Sequence, residues 1–464
     1  MLTRIKISGF KSFQDFEMQF TPFTVIAGKN ASGKSNLFDA LELLSRLASM
    51  NLKEAFPERR GSVTELFTLT QKGEYGTEMS FEAELLVCRT VKDNWGQTAE
   101  IKSPRLRYEL GIARKPGQHG FEELTVTHER LTRIKVTDDS WAQELIPKEE
   151  TRLWKNTQSG GSAKPFIDTD LTNGIPTILI RQDGKQGGKA TPAKDLGQTV
   201  LAGINSVDFP HVFAVKQEMM SWRFMQLNPD QLRKPTPQDP RMSYTLTHNG
   251  ANLAAALFRI KDSDPHILKD LAVDLNVLLP EFTAVDVQHE EAQRHFIIRL
   301  QTHDGREFSS RVLSEGTLRL LALMVMKYDD EHTGLLCFEE PENGVHPMRI
   351  ADITDLLLDL SVNFEEPGSR LRQVIINTHS PLLVKKLSEI SGDPRVSIWL
   401  SRMVKLVKPA NGKSGTSMFC TAIHQVSLQG QFELAIDPAS KKWNIAELTR
   451  YLETMSPVPE LSDF

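Results

Sequence analysis

A chain of 464 residues has room for two or three structural units, and its 39% hydrophobic and 25% charged content is ordinary for a soluble globular protein. A formal net charge of −5 excludes a global basic signature, so any nucleic-acid binding has to be local or borrowed from a partner. Three dispersed cysteines (Cys88, Cys337 and Cys420) with no CxxC pair exclude a disulfide framework and a cysteine zinc site, and they fit a reducing cytosol.

In chain order, LTRIKIS (2 to 8) and FEMQF (16 to 20) alternate as short strands, and FTVIA (23 to 27) has the continuous apolar character of a buried one. The N-terminus lacks a signal-peptide core, and no apolar run approaches the roughly 20 residues of a spanning helix, so a cytoplasmic protein with no membrane contact is expected. The loop GKNASGKSN (28 to 36) opens a helix expected over Lys34 to Met50. Residues 77 to 135 are β-rich, whereas 155 to 200, polar and glycine-rich, are expected to form mobile hairpins or loops. A proline-rich linker at 227 to 240 precedes two helical patterns, GANLAAALFRI and HILKDLAVDLNVLL. The strands AVDVQHE and HFIIRLQT flank HEEAQRH, whose histidines are six apart; this excludes the H-E-x-x-H zinc motif and predicts a polar turn. Then come a helix from near Ser314, the buried strand GLLCF, a helix over 347 to 361, the buried strand QVIINT, and the helix of PLLVKKLSEI. The tail, 396 to 464, is expected to mix short strands with a last helix near NIAELTRYLETM. There is no tandem repeat, and no heptad run between the phosphate loop and residue 313.

Gly28, Gly33, Lys34 and Ser35 satisfy G-x-x-x-x-G-K-[ST] between a strand and a helix. The glycines let backbone N–H groups curl around a β-phosphate, and the helix N-terminus favours negative charge. Lys34 reaches the β- and γ-oxygens, and the Ser35 hydroxyl ligates Mg²⁺. About 300 residues later the strand GLLCF ends in Glu339 and Glu340. A carboxylate there can complete the Mg²⁺ shell, and the next can polarise a water. His379 ends another buried strand, where it can touch a γ-phosphate or orient water. Ser314 and Gly316, in VLSEGT, open a helix whose hydroxyl and N–H groups can hold a phosphate; the bland alternative is a capped helix.

The order of these four elements resembles the ABC-type ATPase heads of SMC, RecF and OLD-like proteins. The opening IKISGFKSF with TVIAGKNASGKSNLFDAL looks like their N-terminal signature, and LSEGT stands where they carry LSGGQ. The resemblance covers about residues 1 to 50 and 305 to 385, and more loosely LNPDQLRKP and GANLAAALFRI, which are similar to small OLD-like bacterial ATPases. It implies an α/β fold: a P-loop head with mixed sheets, a β-rich insertion and a helical subdomain. The spans implied are 1–75 (lobe I with Walker A), 76–226 (β-rich insertion), 227–290 (linker and helical subdomain), 291–400 (lobe II with signature, Walker B and switch histidine) and 401–464 (C-terminal extension). It implies ATP and Mg²⁺ as ligands, with Gly28, Lys29, Asn30, Ala31, Ser32, Gly33, Lys34, Ser35 and Asn36 as Walker A. Glu339 takes the Walker B position, Glu340 the catalytic glutamate, His379 the switch histidine and Pro341 to His346 the D-loop. Glu-Glu replaces the commoner Asp-Glu. A Q-loop glutamine is also implied, with Gln71 and Gln182 as open candidates. Ser314 would complete the site of a second subunit, so that two heads sandwich two ATP molecules.

Within that group the chain has neither the long coiled coil of SMC proteins nor an evident TOPRIM nuclease. Glu433 and Asp437, then Glu447 and Glu453, form no D-x-D pair. It is similar to the ATPase subunits of Septu or PARIS anti-phage systems, which implies a sensor or scaffold for a separate nuclease or toxin, with DNA or a phage product as possible trigger. The alternative is a RecF-like clamp on duplex DNA. A local basic bias favours the clamp: Lys385, Lys386, Arg395, Arg402, Lys405, Lys408 and Lys413 against Glu389 and Asp393.

Overall fold

The computed structural model describes residues 1–56, 62–70, 73–116, 122–148, 150–156, 164–170, 177–182, 189–192, 197–239, 245–366, 368–390, 392–410, 413–427 and 443–453. At its centre is a seven-stranded sheet in the order Arg223–Met225, Gly334–Glu339, Arg372–Thr378, Phe23–Ala27, Val396–Ala410, Lys413–Ser427, Trp443–Asn444. The first five of these strands are parallel to one another. Phe23–Ala27 and Arg372–Thr378 are buried through every residue, as strands covered on both faces must be.

Period-two alternation decides what covers each face. Ile26, Leu335, Cys337 and Ile375 point into one core, shared with the Walker helix Lys34–Leu47 and the strands Leu2–Ser8, Glu78–Leu86 and Arg105–Pro116. Val25, Leu336, Phe338, Val374 and Ile376 point into the other. That second core is closed by the helices Leu253–Ser263, Ile267–Leu278, Glu315–Tyr328, Ile350–Asp359 and Pro381–Glu389.

An antiparallel sheet of eight strands lies over the first core. Its order is Lys189–Pro192, Thr177–Ile180, Ile167–Asp170, Glu122–Arg133, Arg105–Pro116, Glu78–Leu86, Leu2–Ser8, Phe16–Gln19. The buried Gln373 ties the two sheets together. It accepts from the Leu2 N–H at 2.9 Å and donates to the Leu2 carbonyl at 2.7 Å, filling the place of a strand partner. A third, four-stranded sheet pairs Phe282–Glu290 with His295–Thr302, and HEEAQRH closes that hairpin through a short 3-10 turn, as expected.

Most strands and helices fall where the sequence places them, with three differences. The Walker helix ends at Leu47, three residues short of Met50, in a tightened last turn where the Ser49 N–H bonds the Arg46 carbonyl three residues back. The expected short strands of the tail are one antiparallel hairpin of two 15-residue strands, Val396–Ala410 and Lys413–Ser427. Within the expected mobile region 155 to 200, the strands at 167–170, 177–180 and 189–192 extend the eight-stranded sheet, and much of the remainder lies outside the described residues. No described helix is long and apolar enough to cross a membrane.

Candidate functional site

The buried strand Phe23–Ala27 delivers Gly28 to the C-terminal edge of the central sheet, where the Gly28 N–H donates to the Thr378 carbonyl at 3.1 Å. The loop then curls through two left-handed residues, Ala31 (φ 62°) and Gly33 (φ 92°). Glycine is required at 33 twice over, since a Cβ would also lie 1.9 Å from Thr421 Oγ1. Gly33 offers no side chain to cap the helix that follows, so its N-terminus is open to an anion. Lys34 folds back over the loop, donating to the Gly28 carbonyl at 2.6 Å and the Lys29 carbonyl at 2.9 Å. Burial lowers its pKa, against the pull of Glu340, Glu342 and Glu339. A cavity of about 480 Å³ opens in front of the loop, lined by residues 30–36 together with Ser12, Glu339, Glu340, Asn377 and Met403.

On the opposite wall Glu339 ends its strand in register with Asn377. Glu340 takes a left-handed backbone (φ 46°), and its N–H donates to both the carbonyl (3.1 Å) and the Oδ1 (3.0 Å) of Asn377. Its carboxylate accepts from Asn343 Nδ2 at 2.7 Å and meets His379 Nδ1 at 2.8 Å. Burial pushes the Glu340 pKa up, but hydrogen bonds from Asn343 and His379 and the charges of His379 and Lys34 outweigh it, and the net shift is downward. Glu342, two residues on, is buried, accepts from the Thr378 hydroxyl, and has its pKa raised by burial.

Ser314 caps the helix Glu315–Tyr328, accepting from the Thr317 N–H at 3.2 Å. Neither Ser314 nor Gly316 lines the Walker cavity. Gly316 instead lies beside the 341–346 turn, and a Cβ there would stand 4.0 Å from the Gly344 carbonyl. Thus Glu339, Glu340 and His379 gather with the Gly28–Asn36 loop, and Ser314 and Gly316 do not.

Of the two glutamine candidates, only Gln182 falls among the described residues, and it does not line the cavity. Gln71 lies outside the described residues, and Gln182 follows the strand Thr177–Ile180 near the far edge of the eight-stranded sheet. Gln226 follows the edge strand Arg223–Met225 and lines a cleft of about 1170 Å³ together with Glu339. No spacing rule marks Gln226 in the sequence; only the pairing of its three-residue strand with Leu336 to Phe338 brings it there. Asn377, Ser12 and Met403 were missed because only tertiary packing brings them to the cavity, and Asn343 and Glu342 were assigned only as part of the D-loop.

The basic run does not form one surface. Lys386 pairs with Asp355 (3.6 Å) and Glu389 (3.4 Å), and Arg395 with Asp393 (2.6 Å). Arg402 lies 5.8 Å from the Trp443 ring centre. Lys385 and Lys405 are exposed, while the side chains of Lys408 and Lys413 lie outside the description.

A glycine-lysine loop at a sheet edge, facing strand-end carboxylates, defines a P-loop nucleoside triphosphatase. Residues 1–129 match the family AAA ATPase domain, and residues 222–385 match an AAA domain described as putative AbiEii toxin, Type IV TA system. Both matched segments are AAA-type ATPase domains, and together they take in the Walker loop, the strand ending in Glu339 and His379. Among solved structures, it is similar to the SMC head domain from Thermotoga maritima (13% identity, 92% of this chain and 99% of that one, TM-score 0.37). It is also similar to an Smc head bound to the C-winged helix domain of ScpA (14%, 91% and 97%, 0.45). A third is an Smc head with an extended coiled coil bound to the C-terminal domain of ScpA, derived from Pyrococcus furiosus (11%, 91% and 96%, 0.46). No curated protein matches the chain.

Proposed function

We propose that this ATPase binds ATP with Mg²⁺ in the 480 Å³ cavity, hydrolyses it, and uses the cycle to pair two heads and control a separate effector protein. The contact between Glu340 and His379 in front of the Walker loop carries the reading. Ser32 Oγ, buried with no partner among the described residues, fits a loop built to receive further acceptors. Ser35 and Glu339 line the same cavity and would hold Mg²⁺, which supplies charge neutralisation for the β- and γ-phosphates. Among the described residues there is no group of three or more His, Cys, Asp and Glu side chains suited to a metal. A P-loop site needs none, because phosphates and waters supply most Mg²⁺ ligands.

In this reading Lys34 exchanges the Gly28 and Lys29 carbonyls for phosphate oxygens, while Glu340, ionised because its pKa is lowered, takes a proton from the attacking water. His379 orients that carboxylate through Nδ1. Gln226, which lines a neighbouring cleft together with Glu339, takes the place of the Q-loop glutamine in this reading. Ser314 and Gly316 act on a second copy's nucleotide, which their distance from this chain's own cavity supports.

Control of an effector, and an anti-phage role with it, rests on likeness to two-component defence ATPases. The duplex-DNA clamp has less support, because Lys386 and Arg395 are already paired with carboxylates.

Two substitutions test the catalytic core. Lys34→Ala should weaken ATP binding, while Glu340→Gln should leave binding intact and slow turnover roughly 100- to 1000-fold. Wild-type turnover by Glu340→Gln, measured as phosphate release, would sink the assignment.

A further inference from the structure

We propose that the C-terminal hairpin carries the base-binding arm of the nucleotide site, with Phe419 as the surface on which the nucleobase stacks. This rests on the Walker loop taking the phosphates, as proposed above. The strand Val396–Ala410 runs parallel beside Phe23–Ala27, with Leu400 level with Ala27. From Ser401 onward it therefore overhangs the sheet edge at which the Walker loop sits.

Alternation puts Ser401, Met403 and Lys405 on one face of this hairpin, and their cross-strand partners Ile423, Thr421 and Phe419 share it. Three contacts show that this face turns toward the loop. Ser401 Oγ donates to the Ser32 carbonyl at 2.9 Å. Thr421 Oγ1 occupies the space beside Gly33 and lies 2.6 Å from Ser12 Oγ. Met403 lines the phosphate cavity itself.

The pair Lys405–Phe419 is the next step outward. It stands four residues beyond Ser401, about 13 Å at the rise of a strand, a distance on the scale over which a ribose and base extend from bound phosphates. Phe419 is 67% exposed and Met403 39% exposed. A single exposed apolar residue means little. Here two of them follow one another on the face that already holds the loop, with a lysine opposite the ring. No aromatic side chain lines the Walker cavity among the described residues. Tyr451, also beside the loop, carries the Lys29 ammonium on its ring at 4.6 Å. Stacking tolerates any base, so the arm should bind purine nucleotides best through their larger rings and discriminate weakly between adenine and guanine.

The test compares ATP with inorganic tripolyphosphate by titration calorimetry. Phe419→Ala should weaken ATP binding about tenfold, leave tripolyphosphate binding unchanged, and keep the wild-type melting curve, since the ring supports no core. Phe419→Trp should restore ATP affinity. ATP binding by Phe419→Ala at wild-type strength, or equal loss of both ligands, overturns the proposal while leaving the Walker assignment standing. A wild-type protein that binds neither ligand overturns the Walker assignment, and the base arm with it.

Discussion

His332 is buried just before the strand that ends in Glu339, and its Nε2 has no partner among the described residues. Burial, reinforced by the Arg372 charge, lowers its pKa from 6.5 to about 4. The unfolded chain therefore binds more protons between those values. The stability this neutral histidine brings is full above pH 6.5 and is lost as pH falls through 4. Glu129 works in the opposite direction. It accepts from Tyr108 and from the N–H groups of Val200 and Leu201, but burial still raises its pKa from 4.5 to about 7. Its contribution is full below pH 4.5 and is lost as pH rises through 7. The wild-type curve mixes the two, so the difference between variant and wild type is diagnostic. Relative to wild type, His332→Leu should gain on the order of 2–3 kcal/mol between pH 7 and pH 4.5, measured by urea unfolding. A difference that does not change with pH would refute the neutral buried histidine. Neither group was legible beforehand, because a pKa depends on neighbours that the chain brings from distant positions.

At the scale of elements, the helix Glu315–Tyr328 begins at a capping serine that does not line its own Walker cavity. If Ser314 serves a second copy, defects in Ser314 and Lys34 should complement each other. A mixture of Ser314→Arg and Lys34→Ala proteins can form one composite site carrying both defects and one carrying neither. Partial recovery of phosphate release in the mixture is expected. No recovery, combined with full activity of Ser314→Arg alone, would exclude a site shared between copies. The loop, the two buried strands and this helix could be read from the chain because each has a local pattern: glycine spacing, a continuous apolar run, a serine cap. The 15-residue hairpin could not. Its strands overhang the sheet, so the continuous apolar run that burial on both faces requires does not persist along them. Gln226 could not be singled out for a related reason: a three-residue edge strand carries too few residues to show any period.

At the scale of the whole molecule, the nucleotide site joins residues more than 300 apart, and the described residues hold no coiled coil for it to move. A second protein is therefore expected to dock on the β-rich insertion or the C-terminal region. Co-expression with neighbouring genes followed by mass measurement should find an assembly larger than a dimer. A lone dimer that binds duplex DNA, with affinity falling steeply in salt, would favour the clamp instead. The purified chain is also expected to lack nuclease activity; metal-dependent cleavage surviving stringent purification would contradict this. Glu433 and Asp437 lie outside the described residues, so that expectation rests on the sequence.

The sequence by itself determined the phosphate loop, the carboxylate pair, the histidine and their order along the chain. It could do so because the chemistry of a bound triphosphate demands particular residues at fixed local spacing. Only the tertiary structure decided which of these meet. Parallel pairing of Gly334–Glu339, Arg372–Thr378 and Phe23–Ala27 sets Glu340 and Lys34 around one cavity, with His379 against Glu340. The same packing leaves Ser314 outside it and brings Gln226 beside Glu339 and the hairpin face of Met403 and Thr421 against the Walker loop. Those neighbours come from strand register and helix packing between distant segments, and no local spacing in the chain encodes them.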